Sequence, residues 1–320
     1  MVDSAFPSYH LKQFLLDDLL LVVSKGRNLA PLTTADGICR LLPMREGPFP
    51  TLALSTFLPP KKELIPPHEK VWSYQSERFS TAEEPLPFTV VGVPLCDLQA
   101  IWYLDQVFVD DLSYQVRRAQ AFLVGMPCEA GLECRCDRRL MPIAGDLFIA
   151  EERVWALSPV GETLLKTCGC LDAEDMPLPW PEGVQEKRPE MTEELYHEAA
   201  DAEFWKVEAK RCLSCGACSA VCPTCYCFDL RDKATLDGSV TRNRSWDNCF
   251  FAEHGKVAGG HDFRPGRANR LRFRMEHKFF SFGELRGQNS CVGCGRCRKV
   301  CPVDIDLDQI AAKIVEGGGS

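Results

Sequence analysis

The chain has 320 residues, 45% of them hydrophobic, a formal net charge of −8 and 18 cysteines; the length suggests two domains with real cores, and the negative charge argues against nucleic acid as the main partner. The longest apolar run, Leu19–Val23, is far too short to span a membrane, and the opening residues lack the basic and apolar regions of a secretory signal. The expectation is a cytoplasmic protein whose cysteines stay reduced and bind metal.

In chain order, residues 1–30 read as an amphipathic helix carrying Leu11, Phe14, Leu15 and Leu19, with a reversal at Lys25–Asn28. Short segments broken by Pro and Gly follow. Phe88–Val93 is β-branched and apolar and reads as a buried strand. Asp97–Val109 has Leu98, Ile101, Trp102 and Leu104 at helical spacing. Ala121–Val124 and Leu147–Ala150 are further strands, with Val154–Leu157 pairing to the latter. This alternation predicts an α/β domain over residues 1–175. Pro177–Glu190 is rich in Pro and charge and reads as a linker, and residues 176–200 carry that linker and a leading helix, Thr192–Lys210. Residues 201–320 form a second, largely helical domain of bacterial-ferredoxin type, so the fold class is α+β. Asp306 or Asp308 caps a final helix bearing Ile310 and Ile314.

The second domain contains C-L-S-C-G-A-C-S-A-V-C-P from Cys212 and C-V-G-C-G-R-C-R-K-V-C-P from Cys291. Both follow the C-x2-C-x2-C-x3-C-P spacing of two-cluster ferredoxins, in which the fourth cysteine ligates the other [4Fe–4S] cube. The expected ligand sets are therefore Cys212, Cys215, Cys218 and Cys301 for one cluster, and Cys291, Cys294, Cys297 and Cys222 for the other. Gly216 and Gly295 stand where each loop bends sharply. Zinc knuckles supply four ligands, not two runs of four that each end in Cys-Pro.

The two motifs are separated by the 68 residues Pro223–Ser290, so the second carries an insertion before it. Its later part holds Lys256, Arg264, Arg267, Arg270, Arg272, Arg274 and Lys278 against Asp262 and Glu276. That stretch is either a solvated face or a docking surface for an acidic partner. Ten cysteines lie outside the motifs. Cys96 follows a strand, and Cys128, Cys134 and Cys136 share one loop; by spacing alone these four fit a third cluster, a zinc site or no metal. Cys225, Cys227 and Cys249 either ligate an additional centre or pack as small hydrophobes, and packing is the simpler reading. Cys39, Cys168 and Cys170 read as structural; His261 and His277 are either ligands or, the simpler reading, satisfied or surface histidines. No glycine-rich dinucleotide fingerprint, Walker loop, nucleophile elbow or H-E-x-x-H occurs. No catalytic residues are expected, and flavin or NAD(P) is expected on another subunit.

Cys222-Pro-Thr-Cys-Tyr-Cys-Phe-Asp229, Trp246-Asp-Asn-Cys249, Ala258-Gly-Gly-His261, Arg270-Leu-Arg272, His277-Lys-Phe279 and the Cys291 motif occur in that order. This pattern resembles the 4Fe–4S dicluster proteins that include an iron–sulfur component of anaerobic sulfite reductase and the beta subunit of cytosolic sulfhydrogenases. Related subunits accompany flavin oxidoreductases that feed heterodisulfide reductase. Gly92-Val-Pro-Leu-Cys-Asp97 resembles the family's G-x-R-P-C-D, with Pro94-Leu95 in place of Arg-Pro, and Cys128, Cys134 and Cys136 match the loop that follows it. The resemblance implies a third [4Fe–4S] cluster on Cys96, Cys128, Cys134 and Cys136. It also implies an electron relay between a flavin subunit that binds NAD(P)H and a catalytic subunit of sulfite reductase, hydrogenase or heterodisulfide reductase type. The rival is an enzyme that reduces a small substrate at an open-site cluster near Cys225, Cys227 and Cys249; a third option is a zinc-stabilised scaffold that only binds partners.

Overall fold

A computed structural model describes residues 5–10, 27–44, 50, 52–81, 85–137, 141–170, 172–181, 188–199 and 202–317. In chain order the strands are β1 (Ala5–His10), β2 (Arg27–Thr33), β3 (Cys39–Pro43), β4 (His68–Gln75), β5 (Arg78–Thr81), β6 (Phe88–Val93), β7 (Ala121–Gly125), β8 (Leu147–Ala150), β9 (Arg153–Ala156), β10 (Glu174–Pro177), β11 (Phe228–Ala234) and β12 (Val240–Trp246). They form one eight-stranded sheet, ordered β10-β1-β9-β8-β7-β6-β2-β3, and one four-stranded sheet, ordered β11-β12-β4-β5. Helices and sheets together make the fold α+β. The chain divides into two units. The first comprises Met1–Ile65, Glu83–Leu132 and Cys136–Val184; the second comprises Pro66–Ala82, Glu133–Arg135 and Gln185–Ser320.

The first unit is organised on β6. Its sequence, F-T-V-V-G-V, is buried at every position, as expected for a strand with parallel neighbours on both sides. β2 and β7 flank it in parallel, and β8 continues the parallel run from β7. The crossover from β6 to β7 uses α2 (Leu95–Val107) and α3 (Leu112–Ala119), which follow the one-turn helix α1 (Lys61–Leu64). Nearly every residue of α2 from Leu95 to Leu104 is buried, so this helix belongs to the interior and is not a two-faced surface helix. β9 turns back against β8 in antiparallel register, with Ile149 opposite Val154. The strands predicted at Phe88–Val93, Ala121–Val124 and Leu147–Ala150 are all present.

The predicted helix over residues 1–30 is not what the described residues form. Ala5–His10 is a strand between β9 and β10, and β2 begins at Arg27. Leu11, Phe14, Leu15 and Leu19 lie outside the described residues. Ser8 and Tyr9 are buried by their strand neighbours, and pairing of that kind overrides local periodicity. The linker predicted at Pro177–Glu190 begins on a paired residue, since Pro177 closes β10 opposite Ala5.

The second unit has α5 (Glu193–Ala199) and α6 (Ala202–Glu208) where a single helix is predicted; residues 200–201 between them lie outside the described residues. α7 (Ala217–Ala220) and α9 (Arg296–Lys299) follow the two cysteine loops, while α8 (Arg267–Phe280) and α10 (Leu307–Val315) supply the core. Leu271 and Met275 of α8, Ala311 and Ile314 of α10, Tyr196 and Trp205 pack together out of contact with solvent. Asp306 is the cap of α10, accepting from the Asp308 N–H at 3.0 Å. The unit is not only helical. The hairpin β11–β12 lies in the insertion and pairs with β4, a strand that the sequence assigns to the first 175 residues. Among the described residues no helix is long and apolar enough to cross a membrane.

One buried carboxylate ties the first unit's sheet to α4 (Pro159–Thr167). Asp146 accepts from the Leu123 N–H and from the Ser158 hydroxyl, each at 2.8 Å, and Ser158 caps α4 by accepting from the Gly161 N–H. Asp146→Ala leaves a buried backbone donor unmet and removes the partner of the cap. It is expected to cost about 2–4 kcal/mol in denaturant unfolding; an unchanged midpoint would show that the carboxylate is not a tie.

Candidate metal centres

The first cysteine loop begins where α6 ends. The Cys212 N–H donates to the Ala209 carbonyl at 3.0 Å, and the chain then passes through left-handed conformations at Ser214 (φ 53°) and Gly216 (φ 76°). Gly216 has no room for a side chain: a Cβ there would lie 2.3 Å from Nδ2 of Asn248. That same Nδ2 donates to the Gly216 carbonyl at 2.8 Å and pins the bend. The result is a cavity lined by Cys212, Cys215, Cys218 and Cys301, with Phe250, Leu271 and Arg274 in its wall.

The second loop repeats the construction. Gly293 (φ 66°) and Gly295 (φ 74°) make the bend, and a Cβ on Gly295 would stand 2.6 Å from the Glu133 carbonyl oxygen. Residues Glu133–Arg135 lie against this loop: the Arg135 N–H donates to the Gly293 carbonyl at 2.8 Å, and the Cys134 thiol to the Cys294 carbonyl at 3.9 Å. A second cavity is lined by Cys222, Cys291, Cys294 and Cys297, with Arg274 and Lys278 beside them. Each cavity thus combines cysteines of both motifs: the first takes Cys212, Cys215 and Cys218 with Cys297 and Cys301, the second Cys291, Cys294 and Cys297 with Cys222. Cys297 borders both.

These thiols are placed where ionisation is costly without a counter-charge. Burial pushes Cys297 well up and Cys218 up, and the Arg274 guanidinium opposes the rise at both. Backbone donors face the sulfurs: the Ser214 N–H reaches Cys212 Sγ at 3.4 Å, and the Ile305 N–H reaches Cys301 Sγ at 3.2 Å. Among the described residues no group of three or more His, Cys, Asp or Glu side chains is placed to hold a single metal ion. A four-iron cube instead spreads its thiolates over four corners. Soft thiolates, N–H donors to sulfur and cationic walls are a donor set that fits iron–sulfur clusters.

The four cysteines of the implied third cluster are not gathered into one unit. Cys96 is buried in the first turn of α2. Cys128 packs on the first unit's core, as does Cys168, and Cys170 is part of that core. Cys136 belongs to the first unit, and Cys134 to the second. By contrast, Cys225, Cys227 and Cys249 are close neighbours. Cys249 is buried in the second unit's core and hydrogen-bonds with Cys227, while Cys225 hydrogen-bonds with Cys222.

The basic stretch of the insertion is neither a fully solvated face nor a continuous docking surface. Arg270, Arg274 and Lys278 follow each other at four-residue spacing along α8, and all three are buried. Lys278 Nζ donates to Thr224 Oγ1 at 2.8 Å. The sequence carried a signal for this: the three cations lie on one helix face beside Leu271, Met275 and Phe279. His277 is also buried, and burial lowers its pKa to about 3, so the ring is neutral. His261 is exposed, edge-on to Phe263. Sequence reasoning also missed Asn248 and Arg188. The latter donates to the Cys291 carbonyl at 3.1 Å and to Asp308 at 2.9 Å.

Residues 211–305 match the model of a 4Fe-4S dicluster domain family. The chain is 32% identical over 292 residues to sulfhydrogenase 2 subunit beta of Pyrococcus furiosus, an alignment covering 82% of this chain and 84% of that protein. It is 27% identical over 116 residues to the F420-dependent formate dehydrogenase subunit beta of Methanocaldococcus jannaschii, covering 36% of this chain and 23% of that one. No solved structure gives a significant match.

Gly216→Ala tests the first loop. The substitution forces a side chain into a left-handed position and against Asn248. A destabilisation of about 1–3 kcal/mol is expected, together with faster bleaching of the visible cluster absorbance by an iron chelator. Wild-type bleaching kinetics would show that the loop tolerates a Cβ and that the close approach is unimportant.

Proposed function

Because the chain belongs to the 4Fe–4S dicluster family that includes sulfhydrogenase 2 subunit beta, it is an iron–sulfur electron-transfer subunit of a multisubunit oxidoreductase, and we propose that it passes electrons between a subunit binding flavin and NAD(P)H and a catalytic subunit. The catalytic partner is of sulfite reductase, hydrogenase or heterodisulfide reductase type, and the complex is cytoplasmic. The observation that carries this reading is the pair of cavities in the second unit, each bordered by three cysteines of one motif together with the fourth cysteine of the other, Cys301 in the first and Cys222 in the second.

In this reading Cys212, Cys215, Cys218 and Cys301 hold one cluster, and Cys291, Cys294, Cys297 and Cys222 the other. Bound clusters supply one-electron transfer. The chain's residues do the rest. Phe250, Leu271 and Leu307 keep water from the walls. Ser214 and Ile305 donate N–H groups to sulfur, a contact that favours the more negative, reduced form. With Cys297 bordering both cavities, the two clusters form a short wire. We also propose a third cluster, on Cys96, Cys128, Cys134 and Cys136, the set that the family resemblance implies. Support for this third centre is that β6 and β7 are adjacent parallel strands, so Cys96 and Cys128 leave the sheet at the same edge.

Anaerobically prepared protein is expected to be brown, with about eight irons and as many acid-labile sulfides from the two ferredoxin motifs, and about twelve irons if the third cluster is present. Stoichiometric zinc with negligible sulfide would overturn the whole reading, whereas iron that never exceeds about eight per chain after full reconstitution would remove the third cluster alone.

The crossing of ligands makes a separate prediction. Cys301→Ala should disturb the cluster of the first loop, and Cys222→Ala that of the second, as read by electron paramagnetic resonance of the reduced protein. Damage confined to each mutated motif's own loop would refute the crossing. The isolated chain, free of any flavoprotein, is expected to pass no electrons from NADH to a dye; robust activity would place the nucleotide site here instead.

A further inference from the structure

Arg274 is 2% exposed and borders both cysteine-lined cavities. Its Nη1 donates to Ser219 Oγ at 2.8 Å and to Cys225 Sγ at 3.4 Å, and its Nη2 donates to the Cys218 carbonyl at 3.1 Å. The guanidinium carbon lies 5.8 Å from the centre of the Phe250 ring. None of these partners is a carboxylate, and among the described residues no carboxylate comes within ion-pair distance of Arg274. Three other buried arginines of the same unit are different. Arg188 and Arg135 both reach Asp308, and Arg244 reaches Glu69.

An arginine cannot escape burial by losing its proton. A guanidinium kept from water with only neutral acceptors is strongly unfavourable unless negative charge stands nearby. The side chain fills a position common to both cavities, and three of its four neighbours are a cysteine ligand's own carbonyl, a cysteine beside a ligand loop, and the serine that follows Cys218. A cube held by four thiolates is a net anion, and reduction adds one more negative charge. A fixed cation beside it therefore stabilises the reduced form more than the oxidised one.

We propose that Arg274 is the shared counter-charge of the two clusters, a positioning residue that raises both reduction potentials and allows both clusters to hold an electron at once. The proposal rests on the reading that the clusters occupy these two cavities. It assigns to the buried face of α8 an electrostatic role in electron transfer, and not one in partner docking. The same geometry gives Lys278 a narrower reach, since it borders the second cavity and not the first.

The test compares full-length wild type, Arg274→Gln and Arg274→Lys, each reconstituted anaerobically, assayed for iron and sulfide, and titrated potentiometrically with paramagnetic resonance detection. Arg274→Gln, loaded with both clusters, is expected to lower both midpoints by enough to change the reduced-to-oxidised ratio at least tenfold, about 59 mV for a one-electron couple. Arg274→Lys, which keeps the charge, should restore most of the shift. If Arg274→Gln fails to load clusters while Arg274→Lys loads them, the charge itself is required and the proposal stands. Unchanged midpoints in a loaded Arg274→Gln, an equal fall in both variants, or failure of both variants to load would overturn it, because shape and not charge would then be the residue's contribution. Absence of iron from the wild type would instead refute the underlying cluster reading, and would be seen in the first assay before any variant is compared.

Discussion

Gathering thiolates away from water is the demand to which the second unit is built. A buried thiolate is unfavourable without a counter-charge, and the upward push on Cys218 and Cys297 expresses that cost. Positive charge from bound iron is one compensation; the protein supplies others. Backbone N–H groups point at Cys212 and Cys301, and Arg274 and Lys278 enter the walls of the cavities. Cations that would be costly in an ordinary core are acceptable here because anions are concentrated beside them. The arrangement is reciprocal: each set of charges makes burial of the other tolerable.

The loops answer a second demand, that of bringing three sulfurs to one cavity within a few residues. Left-handed backbone at Gly216, and again at Gly293 and Gly295, turns each loop. Packed atoms then hold each turn. Asn248 stands where a Cβ of residue 216 would be, and the Glu133 backbone stands where a Cβ of residue 295 would be. Thus Trp246-Asp-Asn-Cys249 contributes through the amide of Asn248 as well as through its cysteine. The second unit draws its support from distant parts of the chain, including the hairpin β4–β5 and the three residues Glu133–Arg135.

The first unit is constrained differently. Its parallel strands β2, β6, β7 and β8 need helical crossovers and apolar cover, and α2 is correspondingly buried on almost all sides. Cys96 begins that helix and Cys128 follows β7. The cysteines of this unit are therefore distributed by strand topology, whereas those of the second unit are gathered by paired loops of identical spacing.

The sequence alone determined the features governed by short-range chemistry. The spacing of Cys212–Cys222 and Cys291–Cys301 marked a 4Fe–4S dicluster domain, because loop geometry over a few residues decides what a set of thiolates can hold. The apolar run Phe88–Val93 and the cap Asp306 were legible for the same reason. Tertiary structure decided the rest. Ala5–His10 became a strand through pairing with β9 and β10, which no local pattern announces. The hairpin β4–β5 joined a sheet whose other strands lie far along the chain. Cys225, Cys227 and Cys249 came together across the β11–β12 hairpin, and Cys134 joined a different unit from Cys96, Cys128 and Cys136. Above all, the cations at residues 270, 274 and 278 looked like surface charge. A sequence records a charge but not its surroundings, and only the folded interior, with its crowd of sulfurs, makes burial of Arg274 favourable.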